Sequence, residues 1–373
     1  MTQAGCVAAC GDPCSNSWYQ DGTCAANCPT FPESTTTTAG PTSSTTTTSG
    51  LSSTSAPPPP PGSPDLEFFR AAVPYHTAAQ TVAAIAAVFN PQRSRRRTLC
   101  YHAFAKQFPR NGLPLYVIEA AADGRWTVPD GPNVWRLDWE PDWFAKEHLL
   151  NHALRRLPDR FDAVLWTDTD ALFRDPDFAA KLQAELQRHD VVQAASDLLF
   201  LDQFGRQTLD AIPSLMAVRT GLRPKSQIRQ EWPGLAWAAR RDLLETAGGL
   251  YDRCVTGGGD DGWACCVCGD DLRGRLSIWN RLLIDDVLRY CDRVRPLIKS
   301  VGVVDTVARH LYHGDLGHRQ YWTRHQILHT YEYDPQQHLA LDSAGILRWT
   351  PATPPGLRAA LRDYIHGIKE DLT

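Results

Sequence analysis

Two aspartates, Asp168 and Asp170, follow the apolar run Phe161-Asp-Ala-Val-Leu-Trp166. An extended backbone alternates its side chains, so residues two apart face the same side as the run ends. Paired carboxylates there predict a site for one divalent ion. Hard oxygen ligands suit Mg²⁺ or Mn²⁺, which bridge two phosphates and neutralise the charge growing on a departing diphosphate. The competing reading is that acidic loop residues are commonly just solvated. The strand in front of them weighs against it, because uncompensated carboxylates are costly at the closed edge of a core.

The elements that must position this pair follow from apolar spacing. Val82–Phe89 reads as a first strand, ended by Asn90-Pro91, since proline cannot continue a ladder. A helix over 95–107, a strand in the latter half of 112–119 and a short strand at 135–137 follow. Helical spacing returns over 143–157, with Pro158 as its stop. Phe161–Trp166 is a buried strand, 176–189 a helix and 191–194 a further strand. Trp237–Ala247 reads as a helix ended by Gly248-Gly249, Gly257-Gly-Gly259 as a bend whose backbone can approach a ligand closely, and 276–290 and 355–370 as helices. Strands alternating with helices predict an α/β/α sandwich with a mostly parallel central sheet, and an active site at the carboxyl ends of its strands.

Composition narrows the class. The 373 residues carry a formal charge of -4, with 43% hydrophobic and 21% charged side chains, which supports a sizeable core and gives no reason to expect nucleic acid as the main partner. The basic run Arg93-Ser-Arg-Arg-Arg97 is either a solvated helix start or a phosphate contact. No apolar run reaches the roughly 20 residues needed to cross a bilayer, and no secretory signal stands at Met1, so a soluble, cytoplasmic protein is expected. Residues 1–30 form a cysteine-rich segment with Cys6, Cys10, Cys14, Cys24 and Cys28, suited to disulfides or zinc. Residues 31–64 are Ser/Thr/Pro-rich and read as a disordered linker, leaving 65–373 as one catalytic domain. Cys254, Cys265, Cys266, Cys268 and Cys291 are expected to be buried small hydrophobes.

The blocks Trp143-Phe-Ala-Lys-Glu-His-Leu-Leu-Asn151 and Leu165-Trp-Thr-Asp-Thr-Asp170 resemble the nucleotide-diphospho-sugar transferases of the GT-A fold. Gly234–Arg241, Gly248–Asp252, Gly257-Gly-Gly-Asp-Asp261, Tyr312-His-Gly314, Arg319-Gln-Tyr321, Arg324-His325 and Trp349 extend the likeness to a microbial and viral group, over about residues 81–371. The resemblance implies a GT-A-like sandwich. It implies Asp170 as a direct metal ligand, Asp168 at the metal, the ribose or a metal-bound water, and His313 completing the metal shell, with His310 and His318 as neighbouring alternatives. It implies Asp260 or Asp261 as the general base of an inverting reaction, Asn90 beside the donor nucleotide, and Lys146 supporting the donor or the metal loop. Elementary chemistry asks for the same division, because an acceptor hydroxyl must lose its proton in one place while a diphosphate leaves in another.

Each assignment has a plainer rival. Asp260 and Asp261 can simply cap a helix starting near Gly262. Trp237 is an acceptor stacking platform or a core residue among Ala236, Ala238 and Ala239. Arg319 and Arg324 approach phosphate or decorate a surface turn. No P-loop and no convincing dinucleotide fingerprint is present. The expected activity is metal-dependent transfer of a sugar from a nucleoside-diphosphate donor to a glycan or other hydroxyl-bearing acceptor. The rivals are a retaining transferase, a metal-dependent nucleotide-sugar hydrolase and a non-catalytic carbohydrate-binding protein.

Overall fold

The apolar run Val82–Phe89 forms β1. Its side chains divide between two cores, with Ala83, Ile85 and Phe89 on one face and Val82, Ala84, Ala86 and Val88 on the other. A strand apolar on both faces belongs inside a sheet covered on both sides, and β1 lies there. This computed structural model describes residues 81–371, apart from 123, 140, 208–210, 226–229 and 322. The cysteine-rich stretch 1–30 and the linker 31–64 lie outside the described residues.

After β1 the chain forms α1 (Arg95–Ala105), β2 (Leu115–Ala121), β3 (Val134–Asp138), α2 (Lys146–Arg156) and β4 (Ala163–Thr167). It continues through β5 (Ala171–Phe173), α3 (Phe178–Arg188), β6 (Val191–Gln193), β7 (Asp197–Phe200) and β8 (Ile212–Pro213). The second half contributes β9 (Ala236–Arg240), α4 (Arg241–Ala247), α5 (Gly259–Cys268), α6 (Arg281–Val294), β10 (Val301–Val303) and β11 (Val307–His310). A hairpin of β12 (Leu339–Leu341) and β13 (Leu347–Trp349) precedes α7 (Pro355–Gly367).

Seven strands make the central sheet in the order β10-β6-β9-β4-β1-β2-β3. Neighbours are parallel except at β9, which runs antiparallel to both β4 and β6. Phe104 of α1 with Phe178 and Leu182 of α3 covers one face. Leu149 of α2, Ala264 of α5, Leu283 of α6 and Leu357 of α7 cover the other. The chain is therefore an α/β sandwich with a largely parallel central sheet. A second sheet, ordered β5-β11-β7-β8, leaves the end of β4. Among the described residues no helix is long and apolar enough to cross a membrane.

One expected helix is half strand. Residues 236–240 pair along their length with β4 and over three positions with β6, and the helix begins only at Arg241. Alanine-rich sequence favours helix intrinsically, but the preference is a few tenths of a kcal/mol per residue, and a buried slot with ladder partners on both sides outweighs it. The expected stop is correct, for Gly248 ends α4 in the left-handed region at φ 81°. The helix expected over 276–290 is also displaced. Residues 270–278 form 3-10 turns, and α6 starts at Arg281.

Candidate functional site

Because β1 and β4 are parallel neighbours, the residues that follow them emerge at one edge of the sheet. Asn90 follows β1 there, and Asp168 and Asp170 follow β4. The antiparallel β9 starts at the same edge, where the Leu235 carbonyl accepts the Asp168 N–H at 2.9 Å. The extended geometry expected for the acidic pair does not hold. Residues 168–171 turn, closed by the Ala171 N–H on the Asp168 carbonyl at 3.2 Å, and the two carboxylates meet different partners.

Asp170 faces histidines. The turn leads into β5, whose partner β11 places His310 opposite Ala171, and the Leu311 N–H donates to the Asp170 carbonyl at 2.8 Å. Asp170 Oδ2 lies 2.7 Å from His313 Nε2 and 3.8 Å from His310 Nε2. One ligand atom each from Asp170, His310 and His313 fits within 4.8 Å of the others. The structure thus joins Asp170 to His313 as expected and adds His310.

Several features of this cluster fit a cation. Asp170 Oδ1 is buried without a hydrogen-bond partner. His313 Nε2 is also 2.7 Å from a guanidinium nitrogen of Arg319. A neutral ring with a lone pair on Nε2 satisfies Arg319 but sets two acceptors against each other at Asp170. A ring protonated on Nε2 satisfies Asp170 and sets two donors against each other at Arg319. A divalent ion held by Asp170, His310 and His313 would remove the conflict once the Arg319 guanidinium gave way. Burial works against an ionised Asp170, but His310, His313 and Arg319 outweigh it and hold the carboxyl well below the usual range. Burial also lowers His310 to about 3, which leaves a neutral imidazole able to ligate.

Asp168 belongs to a second cluster. Lys146, the first residue of α2, places its ammonium 3.1 Å from Asp168, 2.9 Å from Asp260 and 3.5 Å from Glu147. Burial raises Asp168 to about 6 and Glu147 to about 7, each against the pull of Lys146. Asp260 and Asp261 lie in the first turn of α5, which begins at Gly259 and earlier than expected. Carboxylates there are favoured by the helix dipole. Gly257 and Gly258 have φ of 83° and 101°, so the bend needs glycine. Close approach explains Gly234 and Gly259: a Cβ on Gly234 would come within 2.6 Å of Asp260, and one on Gly259 would overlap the Glu147 carboxylate. Asp261 turns instead toward Arg275, at 3.7 Å.

The remaining candidates separate clearly. Asn90 exchanges hydrogen bonds with the Ser94 backbone at 2.9 Å and, with Pro91, Arg93, Ala120, Ala121, Arg125 and Pro141, lines a depression at the sheet edge. Arg319 reaches the histidine cluster, while Arg324 is buried against Gly257 and over the Tyr321 ring at 4.7 Å. Trp237 corrects an expectation. It is 0% exposed on β9, with its indole N–H on the Pro233 carbonyl at 2.7 Å, and it has no face to offer an acceptor. The cysteines expected in the core are all buried. Cys100, not singled out from sequence, lies near Asp170, but burial pushes its thiol up to about 12. Sequence reasoning also passed over Glu147, whose adjacency to Lys146 was the available signal, and Glu370, for which there was none nearby.

No family model matches the sequence, and no curated protein matches it. Solved structures give weak likenesses. Glucosyl-3-phosphoglycerate synthase from Mycobacterium tuberculosis in complex with Mg2+ and uridine-diphosphate is 17% identical, with a TM-score of 0.36 over 78% of this chain and 93% of that one. Mannosyl-3-phosphoglycerate synthase from Rubrobacter xylanophilus is 15% identical, with a TM-score of 0.33 over 73% and 84%. The catalytic domain of Drosophila beta1,4galactosyltransferase 7 is 12% identical, with a TM-score of 0.29 over 50% of this chain, which spans 59% of that domain. Similarity at this level carries no statement about activity, and the functional reading rests on the geometry of the two clusters.

Proposed function

We propose that the chain is a metal-dependent glycosyltransferase of GT-A kind, with one catalytic domain from residue 65 onward. It transfers a sugar from a nucleoside-diphosphate donor to a hydroxyl-bearing acceptor. The observation that carries this reading is the placement of Asp170, His310 and His313 at the edge of a largely parallel sheet, beside a separate cluster of Lys146, Asp168 and Asp260. Transfer needs charge neutralised at a leaving diphosphate and a base at an incoming hydroxyl; the histidine cluster suits the first need and Asp260 of the other cluster the second.

Asp170, His310 and His313 would hold a divalent ion, Mn²⁺ or Mg²⁺, which would supply charge neutralisation at the departing diphosphate. The depression lined by Asn90 takes the nucleotide end of the donor. Asp168 serves the ribose or a metal-bound water. Arg319, displaced from His313, turns its guanidinium to a phosphate oxygen, and Arg324 is a second phosphate contact. Asp260 removes the acceptor proton as the acceptor oxygen bonds to the anomeric carbon and the bond from that carbon to the diphosphate breaks, which inverts the centre. Asp260 is favoured over Asp261 because Lys146 ties it to Asp168, whereas Asp261 faces Arg275.

The test is a panel of nucleotide sugars with Mn²⁺, assayed for donor turnover with and without acceptors. Asp170→Ala is expected to abolish metal-dependent donor binding without unfolding the chain, and retained turnover in D170A refutes the assignment. Turnover that no acceptor accelerates favours a hydrolase. Product stereochemistry by NMR separates inversion from retention.

A further inference from the structure

His313 is gripped from behind. Its Nδ1 lies 3.3 Å from Glu370 Oε1, and both side chains are nearly inaccessible. An ionised carboxylate only accepts, so this contact assigns a proton to Nδ1; in the neutral ring the lone pair then lies on Nε2, the nitrogen facing Asp170. Histidines that bind metals usually donate their other nitrogen to a carboxylate or carbonyl in this way.

Glu370 is itself fixed. Arg97 Nε stands 2.6 Å from both of its oxygens. The next residue, Asp371, accepts from Ser94 Oγ and from the N–H groups of Arg95 and Arg96, each at 2.8 Å, at the start of α1. The turn carrying His313 is shaped to receive this segment. Gly314 has φ 96°, and a Cβ there would come within 2.5 Å of the Lys369 carbonyl and 3.1 Å of Glu370 Cα. The histidine-glycine pair thus has a physical reason, since the glycine lets the chain pass close enough for Glu370 to reach the ring. Tyr364 of α7 also donates to the Arg319 carbonyl at 3.2 Å.

We propose that Glu370 is a positioning residue for the metal centre, holding the His313 ring in the tautomer and orientation that present Nε2 to a divalent ion. This rests on the reading that Asp170, His310 and His313 bind such an ion. The segment 369–371 then functions as a brace that links α1 to the centre.

The experiment titrates Mn²⁺ into the full chain and follows the free ion by electron paramagnetic resonance, with circular dichroism to verify folding. Glu370→Ala is expected to weaken Mn²⁺ binding about 10–100-fold. Glu370→Gln, whose amide oxygen still accepts from Nδ1–H but carries no charge, should fall between E370A and the parent. Asp371→Ala removes contacts to the start of α1 without touching the ring, while Arg97 still holds Glu370, so it should weaken Mn²⁺ binding much less than E370A does. Parent-like affinity in folded E370A and E370Q overturns the proposal, as does a loss in D371A as large as in E370A. If E370A does not fold, E370Q decides. Absence of Mn²⁺ binding by the parent chain, or parent-like binding by His313→Ala, is a separate result that removes the reading of the centre itself.

Discussion

Trp237 and His310 illustrate how far a residue's type leaves its role open. Tryptophan serves sugar stacking and core packing equally well, and only the slot between β4 and β6 decides. Trp237→Ala should cost about 3–5 kcal/mol of stability, as large buried truncations do, measured by chemical denaturation, with the acceptor KM of the folded fraction unchanged. A raised acceptor KM at unaltered stability would restore the platform role. His310 stood in the sequence as a neighbour of His313, and spacing alone could not choose between them. The pairing of β11 with β5, which joins segments far apart in the chain, sets His310 opposite Ala171 and brings both imidazoles to Asp170. Asp168 and Asp170 were legible as a pair because they end an apolar run. Their divergence was not, because it depends on a turn and on Lys146 reaching in from α2.

At the scale of elements, the two clusters share the turn after β4 and otherwise stand on different supports. The histidine cluster is carried by the turn after β4 and by β11 with the loop that follows it. The Lys146 cluster joins Asp168 of that same turn to the starts of α2 and α5, which pack so closely that Gly259 has no room for a side chain. Gly259→Ala should therefore push these helix starts apart. We expect a stability loss of about 1–3 kcal/mol, the range for overpacking, and reduced turnover with Mn²⁺ affinity retained, read by thermal melts and metal titration. A loss of Mn²⁺ binding as complete as in D170A would contradict the separate support of the two sites. Elements with uniform apolar patterning, such as β1 and α2, were legible within a few residues. β9 was not, because its alanines carry no strand signature and their conformation is imposed by partners on either side.

Across the whole molecule, buried neutral histidines make the fold sensitive to acid. His152 is 3% exposed, with Nε2 on the Gly345 carbonyl at 3.0 Å and Nδ1 facing a guanidinium nitrogen of Arg156 at 3.2 Å. Burial, with the nearby His148, Arg155 and Arg156, lowers it to about 4. Below an unfolded value of about 6.5 the unfolded chain binds the extra proton first. The stabilising contribution is thus fully present above that pH and is lost as pH falls toward 4, with a slope of at most about 1.4 kcal/mol per pH unit. His152→Gln should flatten the stability profile between these limits in denaturation series. An identical profile in H152Q would assign the acid sensitivity to other groups, with His189, also lowered to about 4 by burial, the first to examine.

The reversed strand β9 also bears on how the protein is made. β6 joins the central sheet to β4 only through β9, and β10 joins only through β6. A growing chain that has not yet reached residues 236–240 therefore carries β4 with a bare hydrogen-bonding edge, while β6 waits for its bridge. Exposed edges recruit strands from other molecules, and distant pairings form late. Until residues 236–240 have left the ribosome, the nascent polypeptide therefore offers an unpaired strand edge to its neighbours.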